Sequence, residues 1–356
     1  MEAQVGVAGG TGSGSWTAAL GSVFDVVEPA STFGIGPLPH RSAEAAAGFS
    51  FDAFDVPVIP SLPRRSPAEA SIAQALTGVC GVVGGPYGSI GVDVGRIDPA
   101  APVVTDLRSE SFVGFRAFLA EAAVRSYEGP VKWQFTGPLS VGVTLVRAGV
   151  PAAVAFDVAS QVVGTHLGAL ADEVARVLPQ SPQLVVLDEP LLDGFWDVDF
   201  PVAPDRAIDL VSTVLASVEG RVTTGVHACT GVEAVALLDA GPHLLSLPVS
   251  ESILPSVGRL ESFLQQGGWV AWGAVATEGP IGVTSTRSWH QLSVVWCELV
   301  RRGCDPGRLR AQSMLTPQCG LAAHSTAVAE RVCHTVRDVS RSVRSTTATA
   351  RFLLGG

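Results

Sequence analysis

LVVLDE, residues 184–189, is a short apolar run that stops at two carboxylates and a proline. A run of this length bounded by a turn signal reads as a strand. Apolar residues in succession, not alternation, are what a parallel strand covered on both faces requires. Seven more runs of the same kind flank it: STFGIGP (31–37), DVPVIP (55–60), VKWQFT (131–136), VTTGVHA (222–228), LLSLPVS (244–250), WVAWGAV (269–275) and AQSMLT (311–316). Helical segments separate them. SPAEASIAQAL opens with Ser66 as N-cap, Pro67 at the first helical position and Glu69 completing a capping box. APDRAIDLVSTVLASVEG carries a 3.6-residue apolar period and stops at Gly220. Segments 111–128, 151–178, 256–266, 286–302 and 319–343 have the same character. Eight strands, each followed by helix, predict an α/β fold, a (β/α)8 TIM barrel. A doubly wound open sheet has the same inventory, because counting strands does not show closure. The chain reads as one barrel domain over 1–356, with a Gly-rich N-terminal extension over 1–30 and a barrel core of about 31–345.

The bulk composition narrows the partners. Net charge is −10, and no basic cluster exceeds a pair of arginines, which argues against nucleic acid or an anionic membrane surface. MEAQVGVAGG has neither a positive n-region nor a sustained apolar segment, so no secretory signal is expected. No uninterrupted apolar stretch reaches about 18 residues, so no membrane span is expected either. Six cysteines scattered through 356 residues read as reduced thiols, and the expected location is cytoplasmic. GGTGSGSW, Gly9–Trp16, invites a phosphate-loop reading, but the lysine of GxxxxGK[ST] is missing, and a loop ahead of the barrel is the plainer interpretation.

In a barrel, functional groups stand at the carboxyl ends of strands. GVHACTG ends the fifth strand, and His227 and Cys229, two residues apart, face the same side. Thr230 reads as the N-cap of the next helix with Glu233 as its box partner; a helix N-terminus there would favour a thiolate at Cys229. Glu251 closes the sixth strand, and Cys319 follows the eighth in a Pro-Gln-Cys-Gly turn opening the last helix. His227, Cys229, Glu251 and Cys319 make a plausible tetrahedral set for Zn2+, since thiolate and imidazole favour zinc over magnesium or calcium. Cys80, Cys297, Cys304 and Cys333 read as core or helix-face residues. Asp188 and Glu189 form an acidic pair suited to a cationic substrate group, or a loop cap before Pro190. Lys132, the only lysine, is a poor Schiff-base candidate because it starts its strand, far from the mouth.

STFGIGPLPH, LPRRSPAEASIAQAL, VKWQFTGPLSVG, VVLDEP, GVHACTG, GGWVAWGAVAT and LTPQCGLA, in that order from about 31 to 322, resemble strand motifs of the cobalamin-independent methionine synthase superfamily, which also includes uroporphyrinogen decarboxylase and coenzyme M methyltransferases. The closest match is to single-barrel forms equivalent to the synthase's C-terminal catalytic domain. The resemblance implies zinc on His227, Cys229, Glu251 and Cys319. It also implies a substrate site at Asp188, Glu189 and Gly36, with Asp188 holding the amino group of homocysteine. The implied activity is zinc-dependent methyl or alkyl transfer to a small thiol, with methylfolate or a methylcorrinoid on a partner protein as donor. The alternatives are a non-catalytic zinc- or corrinoid-binding relative, or a uroporphyrinogen-decarboxylase-type or coenzyme M-type transferase of the same superfamily. The chain departs from the family in having Pro37 where a serine usually follows Gly36, and in lacking the histidine after the seventh strand and the second, folate-gripping barrel. His40 and His324 are candidates for proton handling, or ordinary polar histidines.

Overall fold

A computed structural model describes residues 21–345 other than Thr230, Pro280 and Val283, and leaves out the side chains of residues 231–233. Six strands form one parallel sheet in chain order: β3 (Val131–Thr136), β4 (Gln183–Asp188), β5 (Thr223–His227), β6 (Leu244–Pro248), β7 (Trp269–Val275) and β8 (Ser313–Pro317). Two further extended segments, 30–38 and 56–61, close it. Ala30 N–H donates to Ser313 O (2.6 Å) and Phe33 N–H to Leu315 O (3.2 Å) on one side. Ile59 N–H donates to Lys132 O (2.8 Å) on the other, and Val56 N–H to Thr32 O (3.0 Å) joins the two segments. Parallel bridges at Thr32–Leu315, Pro37–Ser61 and Val58–Lys132 mark the same seam. The sheet therefore returns on itself as a (β/α)8 barrel, and the open-sheet alternative is excluded.

A small antiparallel hairpin, β1 (Val82–Gly84) with β2 (Ile90–Val92), precedes the main sheet in the chain. The helices are α1 (Ala43–Ala53), α2 (Ser71–Ala75), α3 (Val113–Val124), α4 (Pro138–Arg147), α5 (Ala152–Val177), α6 (Pro204–Ala216), α7 (Gly231–Ala236), α8 (Val257–Gln265), α9 (Thr286–Arg301), α10 (Pro306–Ala311) and α11 (Thr326–Arg344). Helix α5 is long and apolar enough to cross a membrane by composition, but half of its most apolar window is buried within the fold, as in a core helix.

The strand register separates two faces. Lys132, Gln134 and Thr136 alternate with Trp133 and Phe135; Thr136 pairs with Asp188, Asp188 with His227, and His227 with Ser246. The opposite face carries Trp272, whose ring meets Trp296 of α9 at 6.0 Å between centroids, so that face packs on the helices and the polar one lines the barrel. Burial on the helix-facing side is close to complete for Val185, Leu187, Val226, Leu245 and Leu247. At about 1.5–3 kcal/mol for each large apolar side chain, this shell supplies the main driving force for closure.

Three local expectations are corrected. Ser66 caps only a 3-10 turn, Pro67–Glu69, before α2. Glu69 does not complete a capping box; it turns inward, accepts N–H bonds from Leu62 and Gly114, and pairs with Arg65 at 3.2 Å. The last helix starts at Thr326 with Ser325 as N-cap, not at 319, because residues 318–325 are tied down as a loop. Residues 21–30, read as extension, pack beneath the barrel: Phe24 stacks on Trp269 at 4.7 Å and Val23 N–H donates to Thr223 Oγ1. The Gly9–Trp16 patch lies outside the described residues.

Candidate functional site

Thr136, Asp188, His227 and Ser246 form one row across the carboxyl ends of β3 to β6, all on the barrel's inner face. His227 is buried, and its Nδ1 lies 2.9 Å from Ser246 Oγ. With Nδ1–H donated to that hydroxyl, Nε2 carries the lone pair and faces outward along the mouth. Cys229 lies two residues on, with Sγ 3.9 Å from Nε2.

Cys319 reaches the same place from the opposite side of the mouth. β7 bulges between Gly273 and Val275, and a Cβ at Gly273 would stand 2.9 Å from Gln318 Cα, so only glycine admits the chain that follows β8. Gln318 N–H then bonds Val275 O (2.8 Å), Leu321 N–H bonds Pro37 O (2.9 Å), and Arg64 Nη2 bonds Ala323 O (2.7 Å). These three ties fix the loop and bring Cys319 Sγ to 3.6 Å from Cys229 Sγ. The backbone carbonyl of Pro37 thus anchors this loop.

The electrostatics follow from that contact. Cys319 is lowered to about 4, first by accepting a hydrogen bond from the Cys229 thiol and then by the adjacent His227 imidazole. Cys229, the donor, is pushed up by the same bond and by burial. Burial raises the Asp188 carboxyl, against the opposing pull of His227 and Lys132. Asp188 Oδ2 accepts from Gln134 Nε2 at 3.1 Å, while Oδ1 is buried without a partner. The hydroxyls of Thr136 and Thr316, at the ends of β3 and β8, are also buried and unpartnered. A buried polar atom left unsatisfied costs about 1–3 kcal/mol, so three around one mouth define what a ligand there must satisfy.

The structure thus brings together His227, Cys229 and Cys319, with Asp188 beside them. It does not bring in Glu251, which begins a 3-10 turn (Glu251–Ser256), is exposed, and lines an outer groove with Trp289 and His290 of α9. Glu189 is buried and turned away from the mouth: its oxygens accept from Leu139 N–H (2.9 Å) and Ser140 N–H (2.7 Å), the first turn of α4. It holds a helix N-terminus and is not available to a substrate. Gly36, at φ +30°, leaves the space that Gln134 fills, since a Cβ would stand 2.5 Å from its amide. Thr230 and the Glu233 side chain lie outside the described residues. His40 is buried against the Phe49 ring at 4.9 Å between centroids, and His324 is half-buried within the 318–325 loop. Burial pushes the thiols of Cys304 and Cys333 up to about 12, as core residues, whereas Cys80 is exposed and accepts from Arg96.

Sequence reasoning missed Gln134, Thr136, Ser246 and Thr316. The signal was the polar residue at every second position of VKWQFT, which a strand covered by apolar residues on both sides would not carry.

Among the described residues, no group of three His, Cys, Asp or Glu side chains is spaced to hold a metal ion. The mouth comes close. Two thiolates on a tetrahedral zinc stand ~3.8 Å apart and a thiolate and imidazole ~3.6 Å; the observed separations are 3.6 and 3.9 Å. An imidazole beside two thiols is the donor chemistry that a soft divalent ion takes.

No model of a known protein family matches the chain. No curated protein sequence matches it either. Among solved structures it is similar to a 2,3-dimethylmalate lyase, a member of the PEP mutase/isocitrate lyase superfamily, at 10% identity over 91% of this chain and 90% of that one, with a TM-score of 0.34. The resemblance to the cobalamin-independent methionine synthase superfamily is overturned: neither a family model nor a curated sequence supports it. Zinc-dependent methyl or alkyl transfer to homocysteine or another thiol, methionine biosynthesis, and the methylfolate or methylcorrinoid donor are withdrawn with it. The physical reason lies in the motifs. TGP and DEP are strand-to-helix junctions that this barrel uses locally: Pro138 starts α4 and Glu189 caps it.

Proposed function

We propose that the chain is a metal-dependent barrel protein in which His227 Nε2, Cys229 Sγ and Cys319 Sγ take one soft divalent cation of the zinc class. A small polar ligand would complete the coordination beside Asp188. The observation that carries this reading is the meeting of three donors from two distant strand ends, with His227 already oriented by Ser246. A bound ion of this class is a Lewis acid that lowers the pKa of a protic ligand or polarises a carbonyl. The chain's own groups do the rest. Ser246 keeps the imidazole in the ligating tautomer. Asp188 Oδ1 and the Thr136 and Thr316 hydroxyls offer hydrogen-bonding positions around the ligand, which selects for a compact molecule with both donors and acceptors. All six cysteines are unpaired, and a thiolate set needs reduced sulfur, so a reducing cytoplasmic setting fits this reading.

The test is titration of the full-length protein with Co2+ as a spectroscopic stand-in for zinc, followed by metal analysis after dialysis. Wild type should take one equivalent with thiolate-to-metal charge transfer, Cys229→Ser and Cys319→Ser should lose it, and Cys80→Ser should keep it. Wild type that retains no metal, or both site variants retaining a full equivalent, would overturn the proposal.

A further inference from the structure

Below the mouth, on the inner face of β3, lies the only lysine of the chain. Lys132 is wholly buried, with Nζ 3.1 Å from Gly34 O, 2.5 Å from Gln134 Oε1 and 5.4 Å from the centre of the Phe33 ring. Gln134 Nε2 in turn stands 3.1 Å from Asp188 Oδ2. We propose that Lys132, Gln134 and Asp188 form a buried relay, in which the ammonium fixes the Gln134 amide and the amide holds the Asp188 carboxylate with Oδ1 turned toward the bound ligand. The relay rests on the reading of the mouth as the ligand site.

The geometry permits one arrangement. An ammonium has three donors and no acceptor, and a carboxylate has acceptors only. A flipped Gln134 would point its NH2 at the ammonium and its carbonyl at the carboxylate, so both contacts would become repulsive. Gly36 makes the wedge possible, because any Cβ there would collide with the amide. Burial lowers the Lys132 ammonium to about 7, and Asp188 is the charged group that opposes this. Each member satisfies the next, as buried polar groups require, and one carboxylate oxygen is left over at the mouth. Lys132 and Gln134 are thus positioning residues. The hydrogen-bonded, inaccessible Nζ also disposes of a Schiff-base role.

A single lysine makes the test direct. The full-length protein labelled with 13C-lysine gives one side-chain Cε signal, which reports the ionisation of Lys132. In wild type it should titrate near neutrality, far from the ordinary value of about 10.4. Asp188→Asn should lower the midpoint by about one pH unit or more, because it removes the charge that stabilises the ammonium. Gln134→Met, which cuts the link, should also move the wild-type midpoint and serves where Asp188→Asn does not fold. An ordinary lysine midpoint, or one that neither substitution moves, overturns the relay. If cobalt fails to bind but the lysine signal responds, the metal reading falls and the relay stands; if cobalt binds and the signal does not respond, the reverse holds.

Discussion

Glu189→Gln tests the reassignment of an acidic residue from substrate contact to helix capping. The carboxylate is buried and holds two N–H groups at the start of α4. Burial pushes its pKa from 4.5 to about 7, against the hydrogen bonds from Ser140 and Leu139. An acid whose folded pKa is raised binds protons more tightly folded than unfolded, so its contribution is greatest at low pH and falls as pH rises through the window from 4.5 to 7. Between about pH 5 and pH 8 the loss for wild type is roughly 2–3 kcal/mol. Glutamine is the isostere of the protonated acid and does not titrate. The cost of Glu189→Gln, from one acceptor replaced by an NH2 that faces an N–H, is about 1–3 kcal/mol at low pH. It should shrink by roughly 2 kcal/mol or more by pH 8. Urea unfolding of both proteins at a series of pH values measures this difference directly. A cost that is equal at both ends, or that grows with pH, refutes the account of a buried carboxyl disfavoured when charged.

Further outcomes follow from other contacts. Ser246→Ala removes the partner of His227 Nδ1 and should weaken metal binding about 10–100-fold, read by competition with a chromophoric chelator, and should cost about 1–3 kcal/mol of stability because a buried ring nitrogen loses its partner. Burial lowers His166 to about 4 between Thr77 O and Thr105 Oγ1. Folded protein then binds fewer protons than unfolded between pH 6.5 and 4, and about 3 kcal/mol of stability should be lost as pH falls through that window; His166→Phe should abolish this slope, measured by denaturant unfolding. Thr316→Val replaces a buried unpartnered hydroxyl with a methyl group and should stabilise the ligand-free protein by about 1 kcal/mol, seen as a higher urea midpoint.

The barrel was legible because strand placement depends on local apolar runs, and the six sheet strands begin and end within a few residues of VKWQFT, LVVLDE, VTTGVHA, LLSLPVS, WVAWGAV and AQSMLT. What escaped depended on contacts distant in sequence. The 318–325 loop looked helical until tied by Leu321 to Pro37 and by Arg64 to Ala323. The β1–β2 hairpin and helix α4 sat in stretches whose apolar pattern favoured neither state. At the site, His227, Cys229 and Cys319 could be found because they are distinctive residue types at strand ends. Glu251 had the same credentials, yet it belongs to a 3-10 turn that leaves it exposed. Gln134, Ser246 and the two threonines gain their roles from the inner face of a closed barrel, and closure is the property that one strand at a time does not reveal.

X-ray absorption at the zinc edge of the loaded, full-length protein tests the metal centre most directly. The account predicts two sulfur ligands at about 2.3 Å and one imidazole nitrogen at about 2.0–2.1 Å, with a light atom in the remaining position. A shell built of oxygen and nitrogen alone would contradict it.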